Sequence, residues 1–246
     1  MPRALPAVVL ALTTLCAAVV LAQKNDVTIT ARDSFPLKAS LYTPARSAPG
    51  VLLLHQCNAD RQIYDTLGTM LRAAGYTVLA LDFRGFGGSK NAQFKDLASS
   101  RGNMPDDVDA ALAFLASRDS VNKTALGVVG GSCGVNQAIQ AARRHPEVRT
   151  LVLLSGGADD DGETFVKASK NMPIFGAASE EDTNAAASIR KILGLSANPD
   201  SQLSMFKNAG HAASMFDKEP DLEADIVLWF RKHLPVAGYG GLPAQR

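Results

Sequence analysis

The stretch Leu126-Gly127-Val128-Val129-Gly130-Gly131-Ser132-Cys133-Gly134 runs from an apolar, β-branched segment straight into Gln137-Ala138-Ile139-Gln140-Ala141-Ala142, a helical pattern. Read together, they predict a buried strand, a sharp bend and a helix, with Ser132 at the bend. Glycines at 130 and 134 suit such a bend, because side chains there would collide with neighbouring backbone. A dinucleotide-binding loop fits less well: G-x-G-x-x-G is absent, and the strand is the fifth of the chain, not the first.

Outward from the bend, short β-branched or Leu-rich runs alternate with longer helical patterns, the signature of parallel strands joined by crossover helices. Strands are predicted at 51–55, 77–81, 125–130, 150–155 and 173–178, with a weaker edge strand near 202–207. Residues 27–31 and 38–42 alternate apolar and polar around Asp33-Ser34-Phe35-Pro36, as an antiparallel edge hairpin does. Helices are predicted at 59–74, 105–117, 134–144, 183–193 and 217–234, most opening near a capping or acidic residue such as Asp60, Asp106-Asp107 or Asp217. The fold class is therefore α/β, a mostly parallel doubly wound sheet of about eight strands with helices on both faces.

The chain has 246 residues, of which 46% are hydrophobic and 20% charged, compatible with a folded single domain and too apolar for disorder. Met1-Pro2-Arg3 followed by the uncharged run 4–22 predicts a secretory leader, with Val20 and Ala22 as the small residues before cleavage. The run is also long enough for a retained membrane anchor. The expected organisation is a leader at 1–22, one domain at 23–235 and a flexible Gly- and Pro-containing tail at 236–246. Without Arg3 the chain carries 24 basic and 24 acidic groups. No Lys/Arg cluster points to nucleic acid, and membrane contact is expected only if the leader is retained. Export to a periplasmic or extracellular space is the expected localisation.

A second motif, Asp82-Phe83-Arg84-Gly85-Phe86-Gly87-Gly88-Ser89, follows the fourth strand. With Gly130-x-Ser132-x-Gly134, it makes residues 26–235 resemble the α/β-hydrolase family, and more narrowly its small dienelactone-hydrolase-like branch. The resemblance implies a serine nucleophile, an imidazole base near the C-terminal end and a carboxylate after the seventh strand. It implies a bracing role for Asp82 and Arg84. It implies no sizeable cap, because the connection between the sixth and seventh strands is short.

A serine hydroxyl needs a base to take its proton and a carboxylate to orient that base. His211, in Asn208-Ala209-Gly210-His211, follows the last strand where this family places its base. His55, His145 and His233 sit at a strand end, a helix end and among core residues. Asp182 is the expected acid, with Glu180 and Glu181 as neighbours and Asp159, Asp160 and Asp161 as a second position, otherwise a solvated acidic loop. The oxyanion hole requires two N–H donors. Cys133 supplies one, and the loop His55-Gln56-Cys57-Asn58 the other, with Cys57 ahead of Gln56, which stands where many relatives have Gly.

Cys57 and Cys133, the two cysteines outside the leader, therefore both flank the oxyanion hole. Two free thiols packing near the site are the expected arrangement, with a disulfide as the alternative. The expected reaction is hydrolysis of a small carboxylic ester or lactone through an acyl-enzyme, without metal or cofactor. Thioester or peptide cleavage on the same residues, or a silent binding protein of the same fold, are the alternatives.

Overall fold

The computed structural model describes residues 24–237; the expected leader, and the expected tail from residue 238 on, lie outside the described residues. Strands β1 (Lys24–Thr30) and β2 (Pro36–Tyr42) form the expected antiparallel hairpin. They are followed by β3 (Ala48–Leu54), β4 (Thr77–Leu81), β5 (Val121–Gly131), β6 (Val148–Leu154), β7 (Ile174–Ser179) and β8 (Gln202–Phe206). These eight strands form one sheet in the order β1-β2-β4-β3-β5-β6-β7-β8, and every pairing from β4 to β8 is parallel. From β3 the chain winds first toward β4, then returns to β5 and winds the other way. The crevice between the carboxyl ends of β3 and β5 is therefore the switch point, where open α/β sheets bind ligands.

Successive strand residues face opposite sides, and the helices cover both. Leu52, Leu54, Val128 and Leu153 pack with α3 (Met104–Ala116), α4 (Cys133–Arg144), α5 (Asp160–Ala168) and α6 (Thr183–Leu195). On the other side, Val51, Leu53, Val129 and Leu154 pack against α1 (Asp65–Ala73) and α7 (Asp221–His233). A short helix, α2 (Leu97–Ser100), lies in the long connection between β4 and α3.

Three elements depart from the sequence reading. The span 59–74 is a 3-10 turn, Arg61–Tyr64, followed by α1, with Asp60 capping the turn by accepting the Gln62 N–H at 2.9 Å. The span 217–234 is likewise split into a 3-10 turn, Ala212–Asp217, and α7; Pro220 has no N–H to continue a helix but suits the position before one. Asp159, Asp160 and Asp161 are exposed, as expected, but only Asp159 is outside a helix: it caps α5 by accepting the Gly162 N–H at 2.8 Å, and the next two acids lie in its first turn.

The second motif braces the sheet. Asp82 is fully buried and accepts the Arg61 N–H at 2.8 Å and the Gly88 N–H at 2.7 Å. Ser89 Oγ accepts the Lys38 N–H at 2.8 Å and donates to the Asp82 carbonyl at 3.0 Å, stitching this loop to β2. The buried Arg84 guanidinium bonds both Asp33 and Asp107, the latter at 2.6 Å and 3.2 Å, and lies 4.4 Å and 4.7 Å from the Phe35 and Phe94 ring centroids. Asp107 is thus a buried ion-pair partner and not simply an acidic residue of a helix's first turn.

Candidate active site

Ser132 lies between β5 and α4 with φ 52° and ψ −114°, in a region that non-glycine residues rarely occupy. Tight packing imposes the bend. A Cβ on Gly130 would lie 2.3 Å from the Gly134 carbonyl oxygen, and one on Gly134 would lie 2.5 Å from that of Leu54. The Ser132 N–H donates to the Leu154 carbonyl at 2.8 Å, anchoring the bend to β6.

The residues expected around Ser132 all follow carboxyl ends of parallel strands: Cys57 after β3, Asp182 after β7 and His211 after β8. His211 Nδ1 is 2.5 Å from Asp182 Oδ2. The chain neighbours of Ser132 and His211 approach each other: a Cβ on Gly131 would lie 3.4 Å from that of Ala212. Among the described residues no hydrogen bond joins Ser132 Oγ to the imidazole, whose side-chain bond runs to Asp182.

The other carboxylates have different work. Glu181 Oε2 accepts the Ser179 hydroxyl at 2.8 Å and the Asn208 N–H at 2.5 Å, and these bonds, the Asn208 N–H foremost, hold its carboxyl below the usual range. Glu180 is paired with Arg190 at 2.6 Å and 2.7 Å. Asp159 accepts from Asn136 and Gln140 as well as capping α5. Of this group, Asp182 alone bonds His211.

The remaining imidazoles are engaged elsewhere. His55 is fully buried; its Nε2 accepts the Phe83 N–H at 3.0 Å, which places the proton on Nδ1, where it is donated to the Gln56 carbonyl at 2.8 Å. Burial pushes the His55 pKa down, in keeping with that neutral form. His145 lies at the end of α4 beside Asp109 at 2.9 Å, and His233 lies against the Trp229 ring, centroid to centroid 4.0 Å.

Two supports of the His211 turn were not foreseen. The Ser179 hydroxyl accepts the Ala209 N–H at 3.0 Å, so Ser179 and Glu181 together fix the approach to His211, where Asn208, Gly210 and Ala212 all have positive φ. The buried Gln56 side chain reaches across to accept the Ala213 N–H at 3.0 Å and donates to Asn58 at 2.8 Å. Neither link is readable from spacing, because each joins segments remote in the chain.

Cys57 and Cys133 are joined by a disulfide, with Cα atoms 5.9 Å apart, correcting the expectation of free thiols. The sheet register explains it. Leu54 on β3 pairs with Gly130 on β5, and each cysteine lies three residues beyond its member of that pair. Neither the Cys57 nor the Cys133 N–H has an acceptor among the described residues. Nearby, between the loops after β3 and β4, lies a cavity of about 660 Å³ lined by Asn58, Gln62, Phe86 and Lys90 among others.

Comparison with known proteins agrees with this architecture. An acyltransferase, drtE, of Aspergillus calidoustus is 26% identical over 140 residues, covering 56% of this chain and 45% of that protein. An uncharacterized protein of Mycobacterium tuberculosis is 28% identical over 138 residues, covering 55% and 47%. The chain thus matches a little under half the length of each. In structure it resembles an esterase of Pyrococcus furiosus, with TM-score 0.69 and 18% identity over 86% of this chain and 93% of that one. It also resembles a dienelactone hydrolase of Anabaena variabilis, with TM-score 0.67 and 20% identity over 87% and 99%. At such identities these two likenesses speak for the fold. Residues 49–192, which hold the Ser132 bend and Asp182, match the family described as alpha/beta hydrolase fold, and the chain belongs to that family.

Proposed function

We propose that this protein is a serine hydrolase that cleaves a small carboxylic ester or lactone through an acyl-enzyme. The observation that carries this reading is the strained Ser132 bend packed against the turn that holds the His211–Asp182 pair. Ser132 Oγ attacks the carbonyl carbon while His211 Nε2 takes its proton, and Asp182 holds the proton on Nδ1 and steadies the imidazolium. The Cys57 and Cys133 N–H groups stabilise the oxyanion. His211 then returns the proton to the leaving oxygen and activates water to release the acid.

The connection between β6 and β7 holds only α5, a nine-residue helix, which favours small or openly presented esters over long chains needing a covered tunnel. Transfer of the acyl group to an alcohol in place of water is a second reading, favoured by the relative named as an acyltransferase. The disulfide supports work outside the reducing cytoplasm, in accord with an exported chain.

Labelling with a fluorophosphonate, followed by peptide mapping, tests the reading: label should sit on Ser132 and vanish in Ser132→Ala. A panel of ester, lactone, thioester and peptide, with and without an added alcohol, then separates the reactions. A folded chain that takes no label and cleaves none of these is a silent member of the fold.

A further inference from the structure

The disulfide joins the two residues whose N–H groups the proposed mechanism needs, across the switch point between β3 and β5. On the β5 side the backbone enters α4 at once, so the Cys133 amide is held by a helix. The β3 side differs. Beyond Leu54 no ladder holds the chain, and residues 55–60 form a loop whose Gln56–Ala59 turn, closed by the Ala59 N–H donating to the Gln56 carbonyl at 3.1 Å, is local and does not reach β5. Gln56 is buried and bonded through its side chain, but Asn58 is exposed, and the Cys57 N–H has no acceptor among the described residues. The bond to Cys133 is thus the direct tether at the position of Cys57.

Geometry makes that tether matter. Two donors that each lie about 2.7–3.1 Å from one oxygen must have their nitrogens within about 6 Å of each other. A Cα separation of 5.9 Å, held covalently, is compatible with that spacing and keeps the loop from drifting away. Both cysteines are half-buried, within reach of a small reductant.

Resting on the serine-hydrolase reading, we propose that the Cys57–Cys133 disulfide is a positioning element of the oxyanion hole, and that breaking it lowers turnover while Ser132, His211 and Asp182 stay in place. Reduction takes two electrons and two protons from a dithiol such as dithiothreitol. The Sγ–Sγ bond breaks, two thiols form, and the reductant closes to its own cyclic disulfide. Oxidised glutathione reverses the change. The hydrolase is then throttled in a reducing compartment and released in an oxidising one.

The test compares the full chain, oxidised and fully reduced, on a small activated ester, with thiols titrated and folding followed by circular dichroism. Reduction should lower kcat by about tenfold or more, a fraction of the 10²–10³ lost when a donor is removed. KM should change by less than about twofold, and oxidised glutathione should restore kcat. The double variant Cys57→Ala/Cys133→Ala should be slow from the start and indifferent to dithiothreitol. Reduction in place covers the case in which that variant fails to fold. If both thiols titrate and kcat stays unchanged while only the unfolding temperature falls, the bond is a stabiliser and the proposal is overturned. It is also overturned if dithiothreitol slows the double variant as much as the wild type. An oxidised, folded chain that takes no fluorophosphonate at Ser132 overturns the hydrolase reading instead, and this inference with it.

Discussion

Gln56 Oε1 accepts the Ala213 N–H at 3.0 Å, joining the loop after β3 to the turn that carries His211. Gln56→Ala leaves that buried N–H without a partner, at a cost of about 1–3 kcal/mol in stability. It also loosens the His211 turn. Esterase kcat should fall by about tenfold with little change in KM. Urea unfolding and steady-state kinetics on the same preparation check both effects.

Three adjacent acids should separate cleanly by mutation. Asp182→Asn removes the carboxylate that orients His211 and should lower kcat by about 10⁴. Glu180→Gln breaks only an exposed pair with Arg190 and should leave kcat within about twofold. Glu181→Gln, next to the Asn208 N–H and Ser179 hydroxyl, should fall between them. A kcat for Asp182→Asn within tenfold of wild type would refute its role.

The strain at Ser132 should be recoverable as stability. Its φ of 52° suits glycine, so Ser132→Gly should raise the unfolding free energy by about 1 kcal/mol while abolishing turnover. Ser132→Ala keeps a Cβ and should abolish turnover without that gain. Comparing the two in urea distinguishes strain from the loss of the hydroxyl.

Arg84→Met leaves Asp107 buried without its partner, and should cost about 3–5 kcal/mol. Replacing Asp107 by Leu in the same chain should recover part of that loss. Loss of stability no greater in Arg84→Met than in the double variant would show that the pair contributes nothing.

His55 gives stability a pH dependence of known sign. Burial lowers its folded pKa, so below the unfolded value of about 6.5 the unfolded chain binds the extra proton and the folded one resists it. Its contribution is complete above that pH and is lost as the pH falls toward the folded pKa. Unfolding free energy measured from pH 7.5 to 5 should decline more steeply in the wild type than in His55→Gln.

Periodicity made the sheet legible, because buried strands are short apolar runs whatever they pair with. All eight strands, and the bend at Ser132, were readable in that way. The acidic run at 159–161 is legible as solvated but not as the opening of a helix, because the same residues that suit a loop also cap and open a helix. Asp182 could not be set apart from Glu180 and Glu181 by chemistry, since the difference lies in where each side chain leaves the turn after β7. The disulfide depends on the pairing of β3 with β5 and the register of Leu54 with Gly130, neither of which is written locally. Gln56 stood out as a residue in place of glycine, but its partner is 157 positions away.

The nine residues of α5 between β6 and β7 also bear on the tempo of the reaction. Among the described residues, that connection carries no inserted lid that would have to swing before a product leaves. The bond-making steps, and not a gating motion, should set the pace, so adding a viscogen to thicken the medium should scarcely slow saturated turnover.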